Sequence, residues 1–211
     1  LSGCVASNPG GTEGGNGSAS AAFLTIPRED MGTFSRNFNP FSPNAAPMTG
    51  QSIYESMLVY NPANGDTVPW LATDWSTGKD GKSLTFSLRD NVKFSDGTPL
   101  TSKDVKLSVE LQKKLLGGFD YVKSIKTPDD STVEFTFEKA FTPALYELGQ
   151  QVIVPAHIWS KFKKPGNEEN PKPVGTGPYT EVANFQAQSF ELGKNPNYWQ
   201  ADKQKLGGIR M

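Results

Sequence analysis

Few residues in this chain could do covalent chemistry, and their placement does not favour it. His157, in "VPAHIW", is the only histidine, and Cys4, in "LSGC", is the only cysteine. One imidazole and one distant thiol cannot make a structural or catalytic metal set. A Ser-His-Asp arrangement would need His157 as its base, and no G-x-S-x-G elbow accompanies it. His157 therefore reads as a hydrogen-bonded structural group. Neighbouring acids occur at Asp129-Asp130 and Glu168-Glu169, where turn-like sequence favours plain solvation. Asp80, Asp96 and Asp104 sit in turn or helix-cap positions that account for them. "VGTGPY" (174–179) contains G-x-G, but position 180 is Thr and a Pro-rich stretch precedes it. A dinucleotide loop needs a third Gly there and a strand before it, so the segment reads as a tight backbone passage. No catalytic residue, metal ligand or cofactor is expected.

Recognition chemistry is what remains. The chain holds 13 Phe, 6 Tyr and 4 Trp, most of which must build the core. "GTFSRNFNPFSPNAAPM" (32–48) is different in kind. Its Pro and Asn residues exclude regular structure, while its Phe residues make it too apolar for a solvated loop. Asn37, Phe38 and Asn39 could set amides beside an aromatic face, a combination that suits a neutral polar ligand. The same segment, pinned by its aromatics, could equally be a core plug. Phe119 and Tyr121, just after Gly117-Gly118, form a second aromatic pair at a loop.

The elements that would position these residues follow from periodicity. "AAFLTIPRED" (21–30) suits a buried strand, and "GQSIYESMLVYNPANGD" (50–66) a helix running into an apolar stretch and a turn. In "KSLTFSLRD", Leu84, Phe86 and Leu88 alternate with polar residues, as in a half-buried strand. Thr101 precedes Asp104 by three, a capping-box-like start. The helix it opens should run from Ser102 to about Leu116, stopped by Gly117-Gly118. Two apolar stripes lie on it, Val105, Val109 and Leu116 against Leu107, Leu111 and Leu115, so it should be packed on two sides. "YVKSIKTPDDSTVEFTFEK" (121–139) reads as a hairpin, with Val133, Phe135 and Phe137 alternating in its second arm. "TPALYELGQ" is a short helix with Pro near its start. "KKPGNEENPKP" (163–173) is a crossover, and "SFELGKNPNYW" a strand followed by a turn. "LGGIRM" resembles a strand just begun.

Composition excludes other classes. The 21 basic and 22 acidic residues nearly cancel, leaving no basic footprint for nucleic acid. No apolar run approaches the roughly 18–20 residues that cross a bilayer. Residues 5–22 hold one large apolar residue, Val5, and one charge, Glu13. Such a segment cannot bury enough surface to offset its ordering entropy and should act as a tether spanning about 25 Å.

Taken together, these segments carry a family resemblance. "VPWLATDWSTGKDGKSLTFSLRDNVKFSDGTPLTSKDVKLSVE" (68–110) closely resembles the signature of the extracytoplasmic solute-binding proteins of family 5. These are peptide, nickel and oligosaccharide receptors of ABC importers. "DDSTVEFTF", "VPAHIW", "VGTGPY" and "NPNYW" follow in the family's order. "LSGC" resembles a lipobox, in which Cys4 would be lipidated.

The resemblance implies an α/β fold, the N-terminal part of a two-lobed, type II periplasmic-binding-protein clamshell, truncated here. Its first lobe would take residues 23–50 and 166–211, interrupted by a small α/β domain over 51–165, with 1–22 as lipobox and tether. It also implies a monomeric, non-enzymatic receptor for a small peptide or an oligosaccharide, of the cello-oligosaccharide kind. That receptor would serve an ABC permease and be lipid-anchored on the extracytoplasmic face of a Gram-positive cell membrane. Ligand contacts carry over to Asn44, Ala45 and Ala46, and more loosely to Phe119 and Tyr121. The competing expectations are an extracellular hydrolase on the same scaffold and a structural domain that does not bind.

Overall fold

Helix α1 (Ser102–Leu115) divides the interior into two cores, each stripe facing one of them. The computed structural model describes residues 22–27 and 32–211; Cys4 and most of the expected tether lie outside the described residues. Val105 and Val109 pack into a core built from the central sheet. Leu107, Leu111 and Leu115 pack into a second, aromatic core. Leu116 departs from the expected stripe and is 54% exposed. The chain leaves the helix there, through Gly117 and Gly118, whose φ values of 80° and 84° suit residues without a Cβ.

The helix start follows from its sequence. The Thr101 amide donates to Asp104 Oδ2 at 2.7 Å, completing a capping box in which Asp takes the place of Glu. The other carboxylate oxygen, Oδ1, accepts from the Ala156 amide at 2.7 Å. Ser108 Oγ accepts from the Val154 amide at 2.9 Å. One face of α1 thus holds the segment that enters the short helix α3 (Ala156–Trp159).

Two four-stranded sheets use separate stretches of chain. The central sheet is antiparallel, ordered β4-β5-β7-β6, with β4 Ala72–Thr77, β5 Ser83–Leu88, β6 Val122–Lys126 and β7 Thr132–Phe137. Leu84, Phe86 and Leu88 point into the core, as do Val133, Phe135 and Phe137, in the expected alternation. Each such side chain contributes about 1.5–3 kcal/mol by leaving water. Helix α2 (Ala144–Gly149) packs beside the small hairpin of β2 (Leu58–Tyr60) and β3 (Thr67–Pro69).

The second sheet, ordered β1-β10-β9-β8, joins distant stretches: β1 Phe23–Thr25, β8 Tyr179–Gln186, β9 Ser189–Lys194 and β10 Gly208–Arg210. β1 runs parallel to β10, while the other pairs are antiparallel.

Two expectations need correcting. β1 is not buried: Phe23 and Leu24 are 38% and 45% exposed, because β1 is an edge strand. The expected helix after Gly50 is a single π turn, Thr49–Ile53, followed by extended chain. Its β-branched and aromatic residues, Ile53 and Tyr54, are fully buried and serve packing instead of helical periodicity.

"VGTGPY" is the tight passage its glycines implied. Gly177 donates its amide to Ile53 O at 2.9 Å, and Gly175 O accepts from the Ser95 amide at 2.9 Å. A Cβ on Gly177 would run into the carbonyl oxygens of Ser52 and Ile53, and one on Gly175 into Ile53 O. Neither obstacle is a flexible side chain, so the backbone itself must shift. Gly177→Ala should therefore lower unfolding free energy by about 2 kcal/mol or more, read from the urea midpoint. An unchanged midpoint would mean that this backbone contact is soft.

Candidate functional site

The irregular stretch 32–48 has two sides with different jobs. Its inner side is nailed down by Asn39, which has no exposed surface. Asn39 Nδ2 donates to Pro165 O at 2.8 Å and Glu168 O at 2.7 Å, and its Oδ1 accepts from the Phe41 amide at 2.8 Å. The Asn39 amide donates to Asn37 Oδ1 at 3.0 Å, and Asn37 Nδ2 to Ser42 Oγ at 3.0 Å. Side-chain amides thus replace the hydrogen bonds that a regular element would have supplied.

The phenylalanines complete the anchor. Phe38 is fully buried, edge-to-face with Phe190 at 5.7 Å and Phe185 at 6.2 Å between centroids. Phe41 meets Trp159 in the same way at 5.3 Å.

Its outer side forms a groove of about 390 Å³, walled by Thr33–Ser35 and by Asn44–Pro47. Asn44 is exposed and Ala45 half-buried, whereas the Ala46 side chain is turned inward at 6% exposure. The Asn44 amide donates to Ser42 Oγ at 3.2 Å and its carbonyl accepts from Ser35 Oγ at 3.5 Å, which leaves its side chain at the groove.

The residues expected to meet a ligand therefore separate. Asn44, Ala45 and Ala46 line one groove. Phe38 and Asn39 have no free surface in this conformation, and Asn37, at 8%, has little; their aromatic and amide chemistry is spent on holding the loop. Phe119 is 8% exposed with φ 58°, and it stacks edge-on with Tyr121. Tyr121 packs on Phe137 and Phe141, and its hydroxyl is enclosed. The pair belongs to the core of the central sheet and does not line the 33–47 groove.

His157 is hydrogen-bonded, as expected. Its Nε2 lies 2.7 Å from Asp96 Oδ2, tying α3 to the "SDGT" turn. Partial burial pushes the Asp96 carboxyl up, but hydrogen bonds from Thr98 and His157 outweigh it and hold it below its usual range. Among the described residues, no group of three or more His, Cys, Asp or Glu side chains could hold a metal ion.

A second polar feature is absent from the sequence-level expectations. Glu55, 6% exposed, is surrounded by aromatic donors. Its Oε1 accepts from Trp70 Nε1 at 2.7 Å, from Tyr198 Oη at 3.3 Å and from Trp199 Nε1 at 3.3 Å. Burial pushes its carboxyl up to about 7, against the opposing effect of these donors. The available signal was that Glu55 is the only charged residue between Arg36 and Asp66. Its partners, fifteen to more than 140 positions away, are invisible to any local pattern.

The family model of the "Bacterial extracellular solute-binding proteins, family 5 Middle" matches residues 66–211. The nickel-binding periplasmic protein of Escherichia coli K12 is 29% identical over 203 residues, covering 86% of this chain and 37% of its own length. The probable D,D-dipeptide-binding periplasmic protein of the same organism is 36% identical over 138 residues, covering 61% of this chain and 26% of its own.

Among solved structures, a periplasmic oligopeptide-binding protein of Thermotoga maritima, with mannohexaose bound, superposes with a TM-score of 0.79. It is 26% identical, over 92% of this chain and 38% of its own. The chain thus spans less than two-fifths of the length of these relatives.

Proposed function

The chain belongs to the bacterial extracellular solute-binding proteins of family 5, and on that premise we propose that it forms one wall of a solute receptor for an ABC importer. The receptor captures an oligopeptide or an oligosaccharide outside the membrane and hands it to permease subunits. Nothing is transformed: affinity comes from enclosing the solute, with hydrogen bonds fixing its orientation. The observation that carries this reading is the two-sided loop. Buried Phe38 and Asn39 hold it rigid, and its outer side presents Asn44, Ala45 and the backbone of Ala46 to a groove. A rigid irregular strip with an open amide and small side chains lets an extended polar ligand approach the backbone closely.

Both ligand classes stay within the proposal. The Thermotoga structure holds mannohexaose although the protein is described as oligopeptide-binding, so one scaffold of this fold accommodates a sugar. The test is Ala45→Trp in the full-length protein, titrated by calorimetry with a panel of oligopeptides and β-linked oligosaccharides. The bulky ring should fill the groove and weaken whichever ligand binds by roughly tenfold or more, with the urea midpoint unchanged. Wild-type affinity in that variant would remove the groove from the binding surface. Release of shortened products from any ligand would favour the hydrolase reading instead.

We also place the receptor at the membrane through a lipid on Cys4, supported by the "LSGC" sequence and the polar stretch behind it. Cells producing the protein with labelled palmitate should label the wild type and leave Cys4→Ala unlabelled in the soluble fraction. Equal membrane retention of both would argue against this anchor.

A further inference from the structure

Glu55 raises a question that the ligand groove does not answer. A carboxylate with 6% exposure should be paired with a cation or cost several kcal/mol. Among the described residues, no Lys or Arg nitrogen makes an ion pair with it. Arg89 is engaged by the same tryptophans: its guanidinium sits 4.6 Å from the centroid of the Trp199 ring, and its Nε donates to Trp70 O. The partners of Glu55 are neutral N–H and O–H groups, which solvate negative charge without cancelling it.

Glu55 also lines a cavity of about 350 Å³ whose other walls include Tyr54, Tyr60, Trp70 and Tyr198. Among the described residues, no basic side chain lines that cavity. Tyr60, 36% exposed, stands at its rim, held edge-on by Tyr146 at 5.1 Å. A buried, uncompensated negative charge among aromatic rings, open on one side, is the arrangement that attracts an organic cation. The rings supply their negative faces and a dry wall, and the carboxylate supplies the counter-charge. An inorganic ion would have to give up its water for a single carboxylate, whereas an alkylammonium carries methyl groups that rings can cover.

We propose that the cavity between Glu55, Tyr60, Trp70 and Tyr198 is a binding site for a small organic ammonium cation, separate from the 33–47 groove. The site takes one positive nitrogen group of tetraalkylammonium or alkylammonium size. Ion pairing with Glu55 and ring contact with Tyr60 and Trp70 would act together, so charge should matter more than shape.

Choline and 3,3-dimethylbutan-1-ol make the decisive pair of probes, since they differ in charge and little in shape. Each is titrated into the purified protein while tryptophan fluorescence is read, because Trp70 is part of the wall. Choline should saturate, and the neutral alcohol should bind roughly tenfold more weakly or not at all. Glu55→Gln should remove that preference, and Tyr60→Ala, a change at the exposed rim, should weaken choline by roughly fivefold. Should Glu55→Gln fail to fold, proton release decides. Calorimetry of the wild type at pH 7 in buffers of different ionisation enthalpy should show a fractional proton leaving per choline bound, as the carboxyl is drawn into its charged form. Tyr198, which donates to the carboxylate, is held well above its usual range by burial and stays neutral there. Equal binding of the two probes, no saturation by choline at tens of millimolar, or choline binding without proton release would each overturn the proposal.

Discussion

Phe38→Ala should destabilise the protein by about 3–5 kcal/mol, the range for truncating a fully buried aromatic side chain. Phe38 has no exposed surface, and its ring is flanked by Phe185 and Phe190 of the second sheet. Those two strands do not collapse easily onto the space left behind, because their own rings are stacked at 5.4 Å. The loss should appear as a lower urea midpoint at unchanged slope. Any loss of ligand affinity should follow from loosening of the loop. Asn44→Ala, on the exposed side of the same loop, should stay within about 0.5 kcal/mol of the wild type. If Phe38→Ala weakened a ligand while leaving the midpoint untouched, Phe38 would be a direct contact after all.

Stability should also rise as the solution is acidified from pH 7.5 to pH 5.5, by about 2 kcal/mol. The cause is Glu55, whose carboxyl is pushed from 4.5 to about 7 by burial. Between those values the folded protein holds a proton that the unfolded chain has lost. The full effect, about 3 kcal/mol, is present below pH 4.5 and disappears as pH rises through 7. Asp104, also raised by burial, has the same sign. Asp96, Asp129 and Glu191 are held low, so their contribution falls away only under more acidic conditions than this window. Urea unfolding at the two pH values checks the claim. Glu55→Gln, which mimics the protonated side chain, should flatten most of the difference. A wild type more stable at pH 7.5 than at 5.5 would show that Glu55 stays charged in the fold. Choline, if it occupies the neighbouring cavity, should counter this trend by favouring the ionised carboxylate.

The two effects differ in how far they could be read from sequence. Phe38 was legible as an aromatic anchor or a ligand wall, with no local way to choose. Its surroundings favour the anchor, because Phe185 and Phe190, some 150 positions later, occupy the side that a ligand would have needed. Asn39 is a similar case. An amide among prolines suits a ligand, but it also suits capping of stray carbonyls, and Pro165 O and Glu168 O took it. Glu55 was not legible at all, since its character comes from residues of two other segments.

What the sequence determined by itself is everything governed by contacts within about a turn or a hairpin. That includes the Thr101–Asp104 capping box, the alternation in β5 and β7, the two stripes of α1, and the bare glycines of "VGTGPY". These follow from side-chain period, cap chemistry and steric limits, which act locally and leave a pattern in the order of residues. Tertiary structure alone decided which aromatic faces were left over. It enclosed Phe38, exposed Phe23, and set Glu55 beside a cavity walled by aromatic rings. Those outcomes depend on which distant surfaces meet, and a side chain's type states what it can do without saying what will cover it.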